Sequence, residues 1–505
     1  MTAIADPTRK SAVGLRSERG PVLGAVMLTT ALIALDSTIV ATAVPSVVKD
    51  IGGFSQFPWL FSIYLLTQAV TVPIYGKLSD VLGRKPMLTF GVAVFVLGSL
   101  LCGVAWSMPA LIVARGVQGI GAGAVQPIGM TIIGDLYTVE ERARVQGYVA
   151  SVWGAASVLG PLTGGLFSEY VSWRWIFFVN LPLGLLALSV LRRRFTEVVA
   201  HREHRIDYTG ATLLTLGCSL LILGLLEGGT AWAWGSLTSA LVLGGAAVAI
   251  VAFLRVEQQA AEPVLPLWVF KHRILVGGNL TSMGVGALLI GLSSYVPAYV
   301  QGVLGKGAIE AGLALGALTI GWPIAAGLSG RVYMRIGFRD TALIGIALAA
   351  AGSILTALLP ESAPIWQVAG SLFLTGLGMG LCSSPTVVAI QSVVGWERRG
   401  VVTGTNMFSR SMGSALGAAA FGAIANATLL QRFHSAPERI KGLPTSIDGT
   451  TAALAHPGPV ATFVRTSLYD ASHQVFLALA VTVVLVAVAI AMTPRRAAPL
   501  ELTGP

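Results

Sequence analysis

The chain has 505 residues, of which 54% are hydrophobic and only 11% charged. A soluble domain carries about 25% charged side chains, so this composition excludes one and implies an integral membrane protein. The formal charge of +10 would suggest nucleic acid in a soluble protein. Here the basic residues lie between apolar runs, so the sign reflects membrane orientation and no nucleic-acid partner is expected.

Fourteen apolar runs are long enough, at about 20 residues, to cross a hydrocarbon core about 30 Å thick as helices. They lie near 21–47, 57–79, 87–105, 108–134, 143–168, 173–191, 208–227, 235–254, 274–301, 310–330, 341–359, 363–390, 400–427 and 472–492. Of the 33 lysines and arginines, 24 fall in the N-terminus, the tail and alternate connections, against seven in the opposite loops. That bias predicts both termini in the cytoplasm. The opening run and the "ATA" at 41–43 have the outline of a signal peptide, but the run is too long and contains Asp36, so it is expected to remain as the first span. Cys102, Cys218 and Cys382 show no ligand spacing; buried free thiols and no metal site are expected.

Shifting the chain against itself by 257 residues aligns QGIGAGA (118–124) with TGLGMGL (375–381), and sets Glu140, Arg142, Gly147 and Gly160 on Glu397, Arg399, Gly404 and Gly417. A shift of 250 sets PIYGKLS (73–79) on PIAAGLS (323–329). Two six-helix halves follow, and halves related in this way usually enclose a substrate path near the membrane midplane. The expected layout is a cytoplasmic N-terminus (1–20), a first bundle (21–191), a cytoplasmic linker (192–207) and an inserted helix pair (208–254). A second cytoplasmic linker (255–273), a second bundle (274–492) containing a long outer loop (428–471), and a cytoplasmic tail (493–505) complete it.

Asp36 stands inside the first run, in ALIALDSTIV, where an ionised carboxylate costs about 2.5–3.5 kcal/mol. At about 1.5 Å per residue it lies roughly 13 Å below the outer end of span 1, and Arg115 lies roughly 10 Å below the same surface on span 4. The matching depth predicts that the two face one central cavity. A carboxyl that ionises beside the arginine and takes up a proton when the arginine withdraws is a proton switch. Arg410, at mid-depth in span 13 and one turn after Asn406, is expected to find a resting partner in Asp36 or a substrate. Tyr295 and Tyr299 on span 9, Trp322 on span 10, and Trp59, Tyr64, Trp153 and Phe408 are candidates to line an aromatic cavity for lipophilic cations.

GKLSDVLGRKP (76–86) occupies the turn between spans 2 and 3. Gly76 and Gly83 permit a tight backbone, Asp80 can accept from arginines or a helix N-terminus, and Arg84 and Lys85 hold the turn at the anionic leaflet. Asp135, near the cytoplasmic end of span 4, can join Asp80 and Arg142 in an inner gate. In GAASVLGPLTGG (154–165), Gly154, Gly160, Gly164 and Gly165 let a neighbouring helix approach, while Pro161 removes a backbone hydrogen bond and kinks span 5. The glycines of GIGAGA sit mid-span with no preceding strand, which excludes a dinucleotide fingerprint. No GKS or GKT phosphate loop occurs, so an ion gradient rather than ATP or a cofactor is the expected energy source.

The turn motif resembles the signature of the major facilitator superfamily. LDSTIVATAVPSV (35–47), LIVARGVQGIGAG (111–123), which places Arg115, Gln118 and Gly119 at its marked positions, GAASVLGPLTGG, WRWIFFVNLPLG (173–184) and PVLPLWVF (263–270) are similar to the motifs of its fourteen-helix drug:proton antiporters. The resemblance implies an all-α membrane fold of two six-helix bundles plus two inserted helices. It also implies a proton-coupled exporter of lipophilic or amphipathic compounds in a bacterial cytoplasmic membrane, with Gln118 in the substrate cavity, and not an enzyme. Export of a lipid or cell-envelope precursor is the alternative, favoured by the long outer loop, which could also meet an envelope partner. Residues 460–476 can extend the last span as a helix beyond the membrane.

Overall fold

The computed structural model describes residues 14–52, 59–195, 197, 207–229, 231–260, 262–437, 440, 458–495 and 500. Their long elements are all helical: α1 (Gly20–Ile51), α2 (Trp59–Leu82), α3 (Arg84–Gly103), α4 (Met108–Leu136), α5 (Val139–Tyr170), α6 (Trp175–Phe178), α7 (Asn180–Arg194), α8 (Tyr208–Glu227) and α9 (Leu237–Gln259). They continue with α10 (Arg273–Ala298), α11 (Ala308–Ile336), α12 (Phe338–Ala357), α13 (Ile365–Ser392), α14 (Arg399–His434) and α15 (Pro459–Ala491). Among the described residues thirteen stretches are long and apolar enough to cross a membrane, with α6 and α7 together forming one of them. The fourteenth is α5, which carries no charged residue from Val149 to Leu166. The expected all-α fold of fourteen spans is therefore present, and side chains such as Val113, Leu162, Leu241 and Leu485 are exposed as lipid contact requires.

Helix starts are set locally. The Ser107 hydroxyl accepts from the Ala110 N–H at 3.4 Å, Thr138 and Glu141 form a reciprocal capping box on α5, and Asp207 accepts from the Gly210 N–H at 2.8 Å at the head of α8. Caps of this kind are worth about 0.5–2 kcal/mol each. The predicted outer loop 428–471 needs correction at both ends, because α14 runs on to His434 and α15 already begins at Pro459. At 33 residues, α15 is about 50 Å long and outreaches the hydrocarbon core, as the expected extension over 460–476 requires. The middle of that loop lies outside the described residues.

Two compact units are present: Met1–Gln68, Leu78–Glu203 and Trp396–Gly400 in the first; Ala69–Lys77, His204–Gly395 and Val401–Pro505 in the second. The glycine rows seen as a repeat make the same contacts in each. In the first, a Cβ at Gly98 or Gly121 would run into α4 or α3 backbone, and one at Gly119 into the Tyr64 carbonyl of α2. In the second, Gly352 and Gly378 press α12 on α13, and Gly376 presses α13 on the Leu318 carbonyl of α11. Forcing a methyl into such contacts costs about 1–3 kcal/mol.

Candidate functional site

Within the first unit, five helices converge on Asp36, which has no exposed surface, and on Arg115, 1% exposed. The Arg115 Nη1 donates to Asp36 Oδ2 at 2.6 Å and to Gln118 Oε1 at 2.7 Å. Its Nε donates to the Leu60 carbonyl at 3.2 Å, and its guanidinium lies 4.1 Å from the centre of the Tyr64 ring. Gln118 Nε2 donates to Asp36 Oδ1 at 2.8 Å, and Asn180 Nδ2 donates to the same oxygen at 3.3 Å. Both amides also donate to Ser99 Oγ, whose own proton goes to the Phe177 carbonyl.

Burying two ions costs several kcal/mol each, repaid only when geometry and remaining hydrogen bonds are satisfied. Here three donors meet the carboxylate, while two further acceptors and an aromatic face meet the guanidinium, so the charged forms fit the site. The pairing of Asp36 with Arg115 is as the depths predict. Their expected exposure to an open cavity is not: the site is sealed inside the unit, and Tyr64 and Gln118, expected to line a substrate cavity, are part of the seal at 2% and 0% exposed. Two turns of the fifth-helix motif reach the same place. The Thr38 hydroxyl, one helix face from Asp36, donates to the Ala156 carbonyl at 3.1 Å, and a Cβ at Gly160 would strike the Thr38 side chain.

A second cluster in this unit is built on Arg84, 1% exposed. Gly83 takes φ +99° and turns the chain between α2 and α3, which a side chain would oppose. Arg84 then donates to Asp80 Oδ1 at 2.6 Å, to Asp135 Oδ2 at 3.1 Å and to the carbonyls of Ser79 at 3.0 Å and Trp396 at 2.7 Å, stacked 3.9 Å from the Trp396 ring. Asp80 also accepts from the Gly400 N–H at 2.9 Å, and Asp135 from Arg399 at 3.0 Å. Of the expected inner-gate residues, Asp80 and Asp135 are thus joined through Arg84. Arg142 donates to the Tyr137 and Gly134 carbonyls, and its repeat counterpart Arg399 meets Asp135 beside Arg84 and shares the Gly134 carbonyl. Lys85 donates its backbone N–H to Glu197, as Arg84 does, so that this carboxylate covers the start of α3.

The remaining candidates are dispersed. Tyr299 is 1% exposed, edge-on to Phe476, and its hydroxyl donates to the Pro360 carbonyl at 2.6 Å; it is spent on packing the second unit. Asn406, 2% exposed, donates to the Gly278 carbonyl at 3.0 Å and accepts from Ser282 at 2.8 Å, which ties α14 to α10. Trp59, Tyr295, Trp322, Phe408 and Arg410 are half-buried, with Arg410 3.9 Å from the Met407 sulfur. Trp153 lines a small pocket with Val26, Thr30 and Gln126. Gly76 lies under the Cα of Gly404, Gly164 is buried and Gly154 half-buried, while space is open at Gly165. The helix α5 runs unbroken through Pro161, whose side chain is outside the described residues. All three cysteines are buried and free. Ser99, Asn180, Glu197, Trp396 and Arg399 were not among the expected site residues; Asn180 carried a signal inside WRWIFFVNLPLG, and Arg399 through its repeat match to Arg142.

The Major Facilitator Superfamily is matched over residues 26–418, and the chain belongs to it: a membrane transporter of the facilitator fold. Similar proteins are Multidrug resistance protein 3 of Bacillus subtilis (strain 168), 36% identical over 83% of this chain and 82% of that one. Multidrug transporter protein MdtP of the same organism is 33% identical over 93% of this chain and 92% of its own length. Among solved structures, the human organic anion transporter MFSD10 (TETRAN) superimposes with a TM-score of 0.62 at 15% identity, over 92% of this chain and 99% of that one.

Proposed function

We propose that the protein is a proton-coupled antiporter that exports lipophilic or amphipathic compounds across a bacterial cytoplasmic membrane by alternating access, with both termini in the cytoplasm. The observation that carries this reading is the sealed carboxylate: Asp36, held by Arg115, Gln118 and Asn180, is a place in the first unit where a single proton changes the sum of charges in a dry core. Protonation neutralises Asp36 and leaves Arg115 a cation without its counter-ion, so the site must rearrange. Thr38 against Gly160 is the contact through which α1 passes that change to α5.

The Arg84 cluster is the natural latch for one end of the cycle. Its bonds to two carboxylates and to the segment 396–400 must break for that end to open, and charged hydrogen bonds are worth about 1.5–3 kcal/mol each. One proton crossing 100 mV supplies about 2.3 kcal/mol, so substrate binding has to contribute too. No cofactor and no chemical step are required, and the substrates are small lipophilic molecules, the class the relatives' multidrug names suggest.

Proteoliposomes loaded with a lipophilic dye cation test the reading. An applied pH gradient should drive efflux by the wild type and not by Asp36→Asn, with dye binding retained. Normal gradient-driven efflux by that variant would remove Asp36 from the mechanism, and movement of labelled lipid alone would favour export of an envelope precursor.

A further inference from the structure

The second unit repeats the turn that Gly83 makes in the first. Gly337 takes φ +89° between α11 and α12, and Phe338 and Arg339 stand where Arg84 and Lys85 stand at the head of α3. In the first unit the chain supplies its own anion there, the Glu197 carboxylate on the N–H groups of Arg84 and Lys85 at 2.9 and 2.8 Å. At α12 no side-chain acceptor among the described residues meets the N–H groups of Phe338 and Arg339. In that place a small pocket opens between the starts of α10 and α12 and the ends of α13 and α15, lined by Arg339, Arg495 and Thr281 beside Ile274, Ile390 and Ile490.

Three features of the lining ask for an anion. The Nε of Arg339 is buried with no hydrogen-bond partner, and neither Arg339 nor Arg495 has an ion-pair partner among the described residues. Thr281, 1% exposed, faces the same space without a partner for its hydroxyl among the described residues. The helix start adds the positive end of the α12 dipole. Asp340, the acidic residue of that first turn, is not part of the lining. A buried guanidinium N–H left unpaired is destabilising, and here the chain leaves it for something else to fill.

We propose that this pocket binds the headgroup of an anionic phospholipid at the membrane face, its phosphate held by Arg339, Arg495 and Thr281. The place of the pocket at a membrane face favours a lipid headgroup over free phosphate. Position agrees: Ile274 and Phe338 begin their helices and Arg495 follows the end of α15, so the site lies at one membrane face, on the side where the sequence concentrates lysine and arginine. This proposal is independent of the proton-coupling reading.

Native mass spectrometry of the full-length protein in detergent, titrated with palmitoyl-oleoyl phosphatidylglycerol, the matching phosphatidylcholine or inorganic phosphate, tests it. The wild type should retain one phosphatidylglycerol in preference to phosphatidylcholine. R339Q/R495Q should weaken that binding by about tenfold or more. R331Q/R335Q, an equal charge change on exposed α11 residues, should leave it unchanged. Equal weakening in both double variants, no weakening in either, or displacement of the lipid by inorganic phosphate would overturn the proposal. If R339Q/R495Q fails to fold, Thr281→Val carries the test: phosphatidylglycerol binding should fall with phosphatidylcholine unaffected, and unchanged binding refutes the site.

Discussion

Replacing Asp36 by Asn keeps the shape of the side chain and strands a buried cation. Removing one member of a buried ion pair costs about 3–5 kcal/mol, because the other is left uncompensated. Arg115 would still have Gln118 Oε1 at 2.7 Å, the Leu60 carbonyl at 3.2 Å and the Tyr64 face at 4.1 Å, which places the expected loss near the lower end, about 3 kcal/mol. The new amide would turn its oxygen to Arg115 and its NH2 towards Gln118 and Asn180. Asn180 can turn over to accept, since its Oδ1 is buried without a partner; Gln118 cannot without releasing Arg115. Adding Arg115→Gln removes the stranded charge, so D36N/R115Q should recover more than about 1 kcal/mol of the loss, a coupling expected of residues in contact. Thermal unfolding of the purified proteins in detergent, followed by tryptophan fluorescence, reads both numbers. Wild-type stability in Asp36→Asn, or a double variant that falls by the sum of its single changes, would refute the description of this site as a satisfied buried ion pair.

Other consequences are local. Gly160→Ala puts a methyl against the Thr38 side chain and should lower stability by about 1–3 kcal/mol and slow efflux, whereas Gly165→Ala, where space is open, should do neither; equal effects in thermal unfolding and dye efflux would contradict the packing. Arg84→Gln removes the contacts to Asp80, Asp135 and Trp396, so hydrogen exchange of amides 396–400 should accelerate, and unchanged exchange would show that the cluster is not a latch. Beyond the end of the first span, hydrogen bonds from Arg174 and then Trp173 hold the Asp50 carboxyl below its ordinary pKa. A depressed pKa in the folded state makes this contribution present above the ordinary carboxylate range and lost as pH falls through the lowered value. Arg174→Gln should therefore raise the Asp50 titration midpoint in carboxyl-selective NMR; an unmoved midpoint would rule out the ion pair as its cause.

Helix count and the Asp36–Arg115 pair were legible because each rests on a property counted along the chain: apolar length for the spans, residues from a helix end for the depth. The partners at Asp36 Oδ1 were less so. Asn180 is 144 positions from Asp36, and nothing local to a serine such as Ser99 distinguishes a hydrogen-bond hub from an ordinary helix-packing hydroxyl. The same limit explains Arg142 and Arg399: both follow the same glutamate spacing in the repeat, and only tertiary packing decides which reaches Asp135. Tyr299 shows the reverse failure, an aromatic at the right helical spacing whose hydroxyl is claimed by the Pro360 carbonyl. Glycine positions transferred well, because a missing Cβ is itself the contact: Gly119 and Gly376 meet α2 and α11 in the same way.

The central claim is that Asp36 carries the coupled proton and gives it up as substrate binds. The direct measurement is proton release by purified protein in weakly buffered detergent solution on addition of a lipophilic dye cation, read with a pH indicator. The account predicts release from the wild type and none from Asp36→Asn at matched dye occupancy. Equal release from the two proteins would contradict it.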